Sequence, residues 1–149
     1  ASKKPGLKLQ KFPDGPKPAD TKVGRLRQIK QLARRFSATE FLAGGRSLGE
    51  MRLLPRPIYR YADPDSGIKD GAVFVLSLNG TNPDGVLVIE LEQRGSAGFA
   101  WRFGPARLTN GGLSVRLDDK QVWRVPVRPG SPAAFDTWIW FRILTAKGE

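Results

Sequence analysis

The chain has 149 residues, 40% of them apolar, with 17 Gly, 12 Pro, four Trp and a net charge of +11, a balance that suits one turn-rich globular domain with a tail rather than a helical bundle. With no Cys and no His, it excludes disulfides, thiolate zinc sites, thiol nucleophiles and every mechanism that uses histidine as acid, base or triad member. No apolar run approaches the roughly 18 residues that a membrane-spanning helix needs.

The charge is unevenly spread: residues 1–46 carry 12 basic and 3 acidic residues, and residues 47–149 carry 13 basic and 11 acidic. Residues 1–22 read as a flexible basic arm, because Pro5, Pro13, Pro16 and Pro18 deny the backbone a helix or a central strand. Such an arm is either a solvated linker or an anchor for nucleic acid, an anionic surface or an acidic protein.

Residues 23–45 read as an amphipathic helix and a short second turn. Leu26, Ile29, Leu32 and Phe36 recur at helical spacing, with Arg25, Arg27, Lys30, Arg34 and Arg35 over the remainder. The apolar stripe is expected to dock on the body and leave the arginines in water. Ser37 followed by Glu40 is a capping-box pattern, which predicts a helical turn over residues 38–43 that stops at Gly44 and Gly45.

Residues 46–149 read as the β-rich body. Pro55 and Pro57 place the segments 51–54 and 58–61 at an edge or bend. Segments 72–78 and 86–92 are apolar on both faces, as in central strands covered on two sides. Phe99, Trp101 and Phe103, then Leu113, Val115 and Leu117, alternate with smaller or polar residues and predict half-buried strands. A hairpin turn falls at Asp118, Asp119 and Lys120, a strand returns over 121–127, and 137–144 supplies a last strand. The pattern predicts an all-β domain, an antiparallel sandwich or barrel-like fold, with one N-terminal helix and a disordered basic arm.

The segments RLLPRPIYRY (52–61), DGAVFVLSLNGTNP (70–83), VLVIELE (86–92) and VWRVP (122–126), with ARRFSATE (33–40), resemble a family of uncharacterised bacterial proteins, many of them exported. The resemblance implies a bacterial origin, one contiguous domain and an exported or periplasmic setting, and it brings no activity, cofactor or catalytic residue.

Among carboxylates, Glu90 is the candidate general acid, with Asp70 or Glu92 as partner in a glycoside-type hydrolase; the plainer expectation is that Glu90 pairs with Arg102 or Arg60. Asp63, Asp65 and Asp70 lack the ligand spacing of a calcium loop and read as turn chemistry. Tyr59, Tyr61, Trp138 and Trp140, with Arg60, form the candidate face for a protein partner or glycan. Lys3, Lys4, Lys8, Lys11, Arg25, Arg27, Lys30, Arg34 and Arg35 carry the nucleic-acid alternative. The sequence therefore points first to a non-catalytic binding or assembly module, with a protein partner or larger assembly on the aromatic face, electrostatic attachment through the arm, and no cofactor or metal.

Overall fold

The computed structural model describes residues 7–80 and 82–128, which contain nine strands. In chain order the elements are β1 (Gln10–Lys11), α1 (Lys22–Ala33), β2 (Phe36–Phe41), β3 (Ser47–Leu53), β4 (Tyr59–Asp63), β5 (Ile68–Ser77), β6 (Gly85–Gln93), β7 (Phe99–Arg107), β8 (Gly112–Leu117) and β9 (Lys120–Val125). They form one antiparallel sheet in the order β1-β7-β6-β5-β3-β2-β8-β9, with β4 beside the first part of β5. The domain is mostly β, a curled half-barrel with one α-helix among the described residues. The curl brings the two ends of that order together, where the Gln10 side-chain amide donates to the Val122 carbonyl at 3.2 Å.

The concave face holds the core. Ala72, Phe74 and Leu76 of β5, Leu87, Ile89 and Leu91 of β6, Trp101 and Phe103 of β7, and Leu113, Val115 and Leu117 of β8 are buried in one cluster. Each large side chain taken out of water there contributes about 1.5–3 kcal/mol. The helix closes the concave side with Ile29, Leu32 and Ala33. It begins where the Thr21 hydroxyl accepts from the Gly24 N–H at 3.0 Å, a side-chain cap on an otherwise unsatisfied donor.

Two local expectations come out differently. The helix ends at Ala33, so Phe36 does not continue its stripe: it opens β2 and enters the core opposite Leu117. Residues 38–41 are strand, and only Ala43–Gly45 make a short 3-10 turn. The capping-box signal is worth about 1 kcal/mol, and it loses to two hydrogen-bonded ladders, with β3 and with β8, plus burial of Phe36 and Ala38.

Of the expected arm, residues 1–6 lie outside the described residues, and residues 7–20 are laid against the sheet. β1 pairs with β7, and Phe12 is buried among Phe103 and Phe36 at ring distances of 4.8 and 5.8 Å. The Trp101 indole donates to the Pro16 carbonyl at 3.0 Å. The β8–β9 turn falls where expected, with Asp118 and Asp119 at φ of 48° and 64°, the left-handed pair that a tight hairpin requires. The expected strand over 137–144, with Trp138 and Trp140, lies outside the described residues.

Candidate functional site

Asp70 stands near the start of β5 on the concave face, two residues before Ala72, where the N-terminal turn of α1 crosses the sheet. Arg25 donates from Nε to Oδ2 at 2.8 Å, and Arg60 donates from Nε to Oδ1 at 2.9 Å and from Nη2 to Oδ2 at 2.7 Å. Both arginines also reach backbone carbonyls at the helix start, Arg25 to Asp20 at 2.7 Å and Arg60 to Lys22 at 2.6 Å. Burial pushes the Asp70 carboxyl up, but the bonds from Arg60 and Arg25 outweigh it and hold the group below the ordinary carboxylate range. Asp70 is therefore a charged joint between helix and sheet. Beside it lies a cleft of about 260 Å³ whose lining includes Lys22, Lys69 and Tyr61.

One rung along the ladder the geometry inverts. Asp70 pairs with Leu91, and Gly71 pairs with Glu90, so Glu90 projects from the convex face, away from Asp70. Gly71 has no side chain, and a Cβ there would lie 2.7 Å from the Tyr61 ring. That space lets Tyr61 of β4 lie flat over β5 and donate its hydroxyl to Glu90 Oε1. Burial, then the bond to Glu90, raises the Tyr61 phenol above its ordinary range.

Tyr59 stacks on Tyr61 at 5.7 Å between centroids and 18° between planes. Tyr59 and the neighbouring Ile58 are each 62% exposed. β4 carries Tyr59, Ile58 precedes it, and β5 is its one sheet neighbour among the described residues.

Glu92 shares the convex face with Glu90, but it is held by Arg102 at 2.8 Å and Arg94 at 3.1 Å. The expected pairing of Glu90 with Arg102 or Arg60 gives way to the tyrosine: Arg102 sits directly across from Glu90 yet turns to Glu92 and the Leu9 carbonyl, leaving its buried Nε without a partner, and Arg60 belongs to Asp70. The three carboxylate candidates are thus split between two faces, and each is engaged. Opposed carboxyl groups across one substrate, as glycoside hydrolysis needs, are not what these residues form. Arg60 likewise lies on the face opposite Tyr59 and Tyr61, so the expected aromatic–arginine patch keeps its tyrosines and loses its arginine.

The basic residues also divide. Lys3 and Lys4 lie outside the described residues, and Lys8 and Lys11 are exposed along β1. Arg25 is buried on Asp70, and Arg35 is joined to Asp14 at 2.8 Å and to Asp118. Arg27, Lys30 and Arg34 stay on the outer side of α1. Asp63 caps its own turn, accepting from the Ser66 hydroxyl at 2.6 Å, and no group of three acidic residues placed to hold a metal occurs among the described residues.

Two features escaped sequence reading. A cleft of about 530 Å³ opens between residues 11–16 and the β6–β7 connection, bounded by Phe99 and Arg94. At the other end of the half-barrel Glu40 is buried on β2, its carboxyl raised by burial against a bond from the Thr109 hydroxyl at 2.9 Å. The alternation Phe36, Ala38, Glu40 carried that inward direction, but the capping pattern obscured it. No helix among the described residues is long and apolar enough to cross a membrane. No family model, curated protein or solved structure matches this chain.

Proposed function

We propose that this domain is a non-catalytic binding module that receives a protein partner on the convex face around Tyr59, with its basic surface adding electrostatic attachment. The observation that carries the reading is the Tyr59–Tyr61 pair. Tyr61 is pinned by Glu90 and by the space over Gly71, and Tyr59 stacks on it while most of its own surface remains in water. A ring already held in place loses little freedom on binding, and aromatic anchors of this kind dominate interface energetics. Exposed Ile58 adds apolar surface at the start of the strand, and β4, with β5 as its one sheet neighbour among the described residues, offers its other edge to an extended segment. Arg56, just before this strand, has no carboxylate partner among the described residues, which favours an acidic segment. Neither cleft lies under the Tyr59 ring, which favours a protein surface over a sugar chain.

The test begins with peptides selected from a random library against the full chain, then titrated by fluorescence anisotropy against wild type, Tyr59→Ala and Ile58→Ser. Acidic peptides that bind each variant at least about tenfold more weakly, with thermal melting unchanged, are expected. Peptides that bind all three chains equally would overturn the reading, as would saturable glycan binding that Tyr59→Ala removes.

A further inference from the structure

We infer that the outer side of α1 is a contact surface for the phosphate backbone of nucleic acid, carried by Arg27, Lys30 and Arg34. The helix turns about 100° per residue, so Arg27 and Arg34 project within about 20° of each other, with Lys30 between them along the axis. The buried residues Arg25, Ile29, Leu32 and Ala33 occupy the opposite side. The three cations are therefore directed outward by the same periodicity that fills the core.

No carboxylate among the described residues neutralises them. Among the described residues the paired arginines are Arg25, Arg35, Arg60, Arg94 and Arg102, and none of the three outer cations has a carboxylate within ion-pair distance. Three acidic groups that meet the helix or the residues just after it are engaged by other arginines: Asp70 by Arg25, and Asp14 and Asp118 by Arg35. The first helical turn contains no acidic residue. Like charges at these spacings weaken an isolated helix, and an anionic ligand relieves that repulsion.

The spacing suits a phosphate chain. Seven residues at about 1.5 Å rise separate Arg27 from Arg34 by about 10 Å, close to the rise of about three phosphates at 3.4 Å per strand. A lipid bilayer is a poorer fit, because the apolar residues of α1 face inward and only Val23, 64% exposed, is available for insertion. A protein interface is also a poorer fit, since the stripe lacks the aromatic or aliphatic centre that such interfaces bury. Contacts to phosphates alone carry no sequence preference. This surface is separate from the convex face and does not depend on the partner proposed there.

The experiment titrates the full chain against fluorescein-labelled 20-nucleotide single strands and 20-base-pair duplexes of two unrelated sequences, between 50 and 200 mM NaCl. Three phosphate contacts predict a log–log salt slope of about −2 to −3, an affinity loss of about 20- to 40-fold over that range, and equal affinity for both sequences. The triple variant Arg27→Gln/Lys30→Gln/Arg34→Gln should bind at least about tenfold more weakly at 50 mM salt and lose most of the slope. A control with the same charge removed elsewhere, Arg46→Gln/Arg52→Gln/Arg116→Gln, should keep both. Equal loss in the triple variant and the charge control would overturn the inference in favour of net charge alone. It is also overturned if wild type binds neither nucleic acid, or if phosphatidylserine vesicles bind more tightly and that binding is what the triple variant loses.

Discussion

Asp70 and Glu90 stand one rung apart on the β5–β6 ladder and live in opposite worlds. Asp70 faces the concave side, where two arginines share it and tie the start of α1 to the sheet. Glu90 faces the convex side, and its partner is a tyrosine that holds up an exposed aromatic ring. The first carboxylate is a structural joint between elements distant in sequence. The second is a support under a surface. The comparison shows that proximity along a ladder does not make a catalytic pair, because the pleat sends neighbouring rungs to opposite sides.

The largest test of this contrast is Asp70→Asn, which leaves Arg25 buried and Arg60 half-buried without their carboxylate. Removing one member of a buried ion pair costs about 3 kcal/mol or more, and urea unfolding should show it. Because the folded-state carboxyl is depressed, its stabilisation is complete above the unfolded value of about 3.9 and disappears as pH falls through the folded value. Asp70→Asn should therefore flatten the acid limb of a stability–pH curve; an unchanged limb would show that Asp70 is not the joint proposed.

Tyr61→Phe sharpens the other half. It deletes the donor to Glu90 and keeps the ring over Gly71, so a loss of about 2 kcal/mol is expected for a hydrogen bond to a charged group, again read by urea unfolding. A variant as stable as wild type would mean that the platform under Tyr59 rests on ring packing alone.

Glu40 supplies a third carboxylate and the smallest effect. Burial raises its folded-state pKa, so the folded protein loses stability as pH rises through the carboxylate range to that raised value. Glu40→Gln keeps an acceptor for Thr109 and removes the charge. It should melt slightly higher at neutral pH, by less than about 1 kcal/mol, and the gap should close at acid pH. A variant less stable than wild type at neutral pH but equal to it at acid pH would reverse the sign and show that the Glu40 charge is stabilising.

Much of the strand framework was legible. The runs that became β7 and β8 were readable because a half-buried strand writes its burial into every second residue, those that became β5 and β6 because a strand covered on both faces is a nearly continuous apolar run, and Asp118–Asp119 announced its hairpin by residue type. The chain from Leu7 to Pro18 was not: one phenylalanine among prolines and lysines does not show that it will lie against Phe36 and Phe103. Residues 38–41 misled for the opposite reason, since a clear local signal stood where two distant ladders decide the conformation. Among site residues, Tyr59, Tyr61, Glu90 and Asp70 were all singled out, but their partners were not, and the cleft beside residues 11–16 left no mark on any short window.

By itself the sequence determined the number and period of the central strands, the position of the tight turns, the helix with its outward cations, and the absence of cysteine and histidine chemistry. These are properties of residues a few positions apart, and they follow from backbone sterics and the hydrophobic effect acting locally. Only the tertiary structure decided that Arg25 turns inward, that Glu90 takes Tyr61 instead of the arginine across from it, and that Arg60 leaves the tyrosines for Asp70. Those choices rest on register and face between segments tens of residues apart, where a one-residue shift in the pairing would send every side chain to the other side of the sheet.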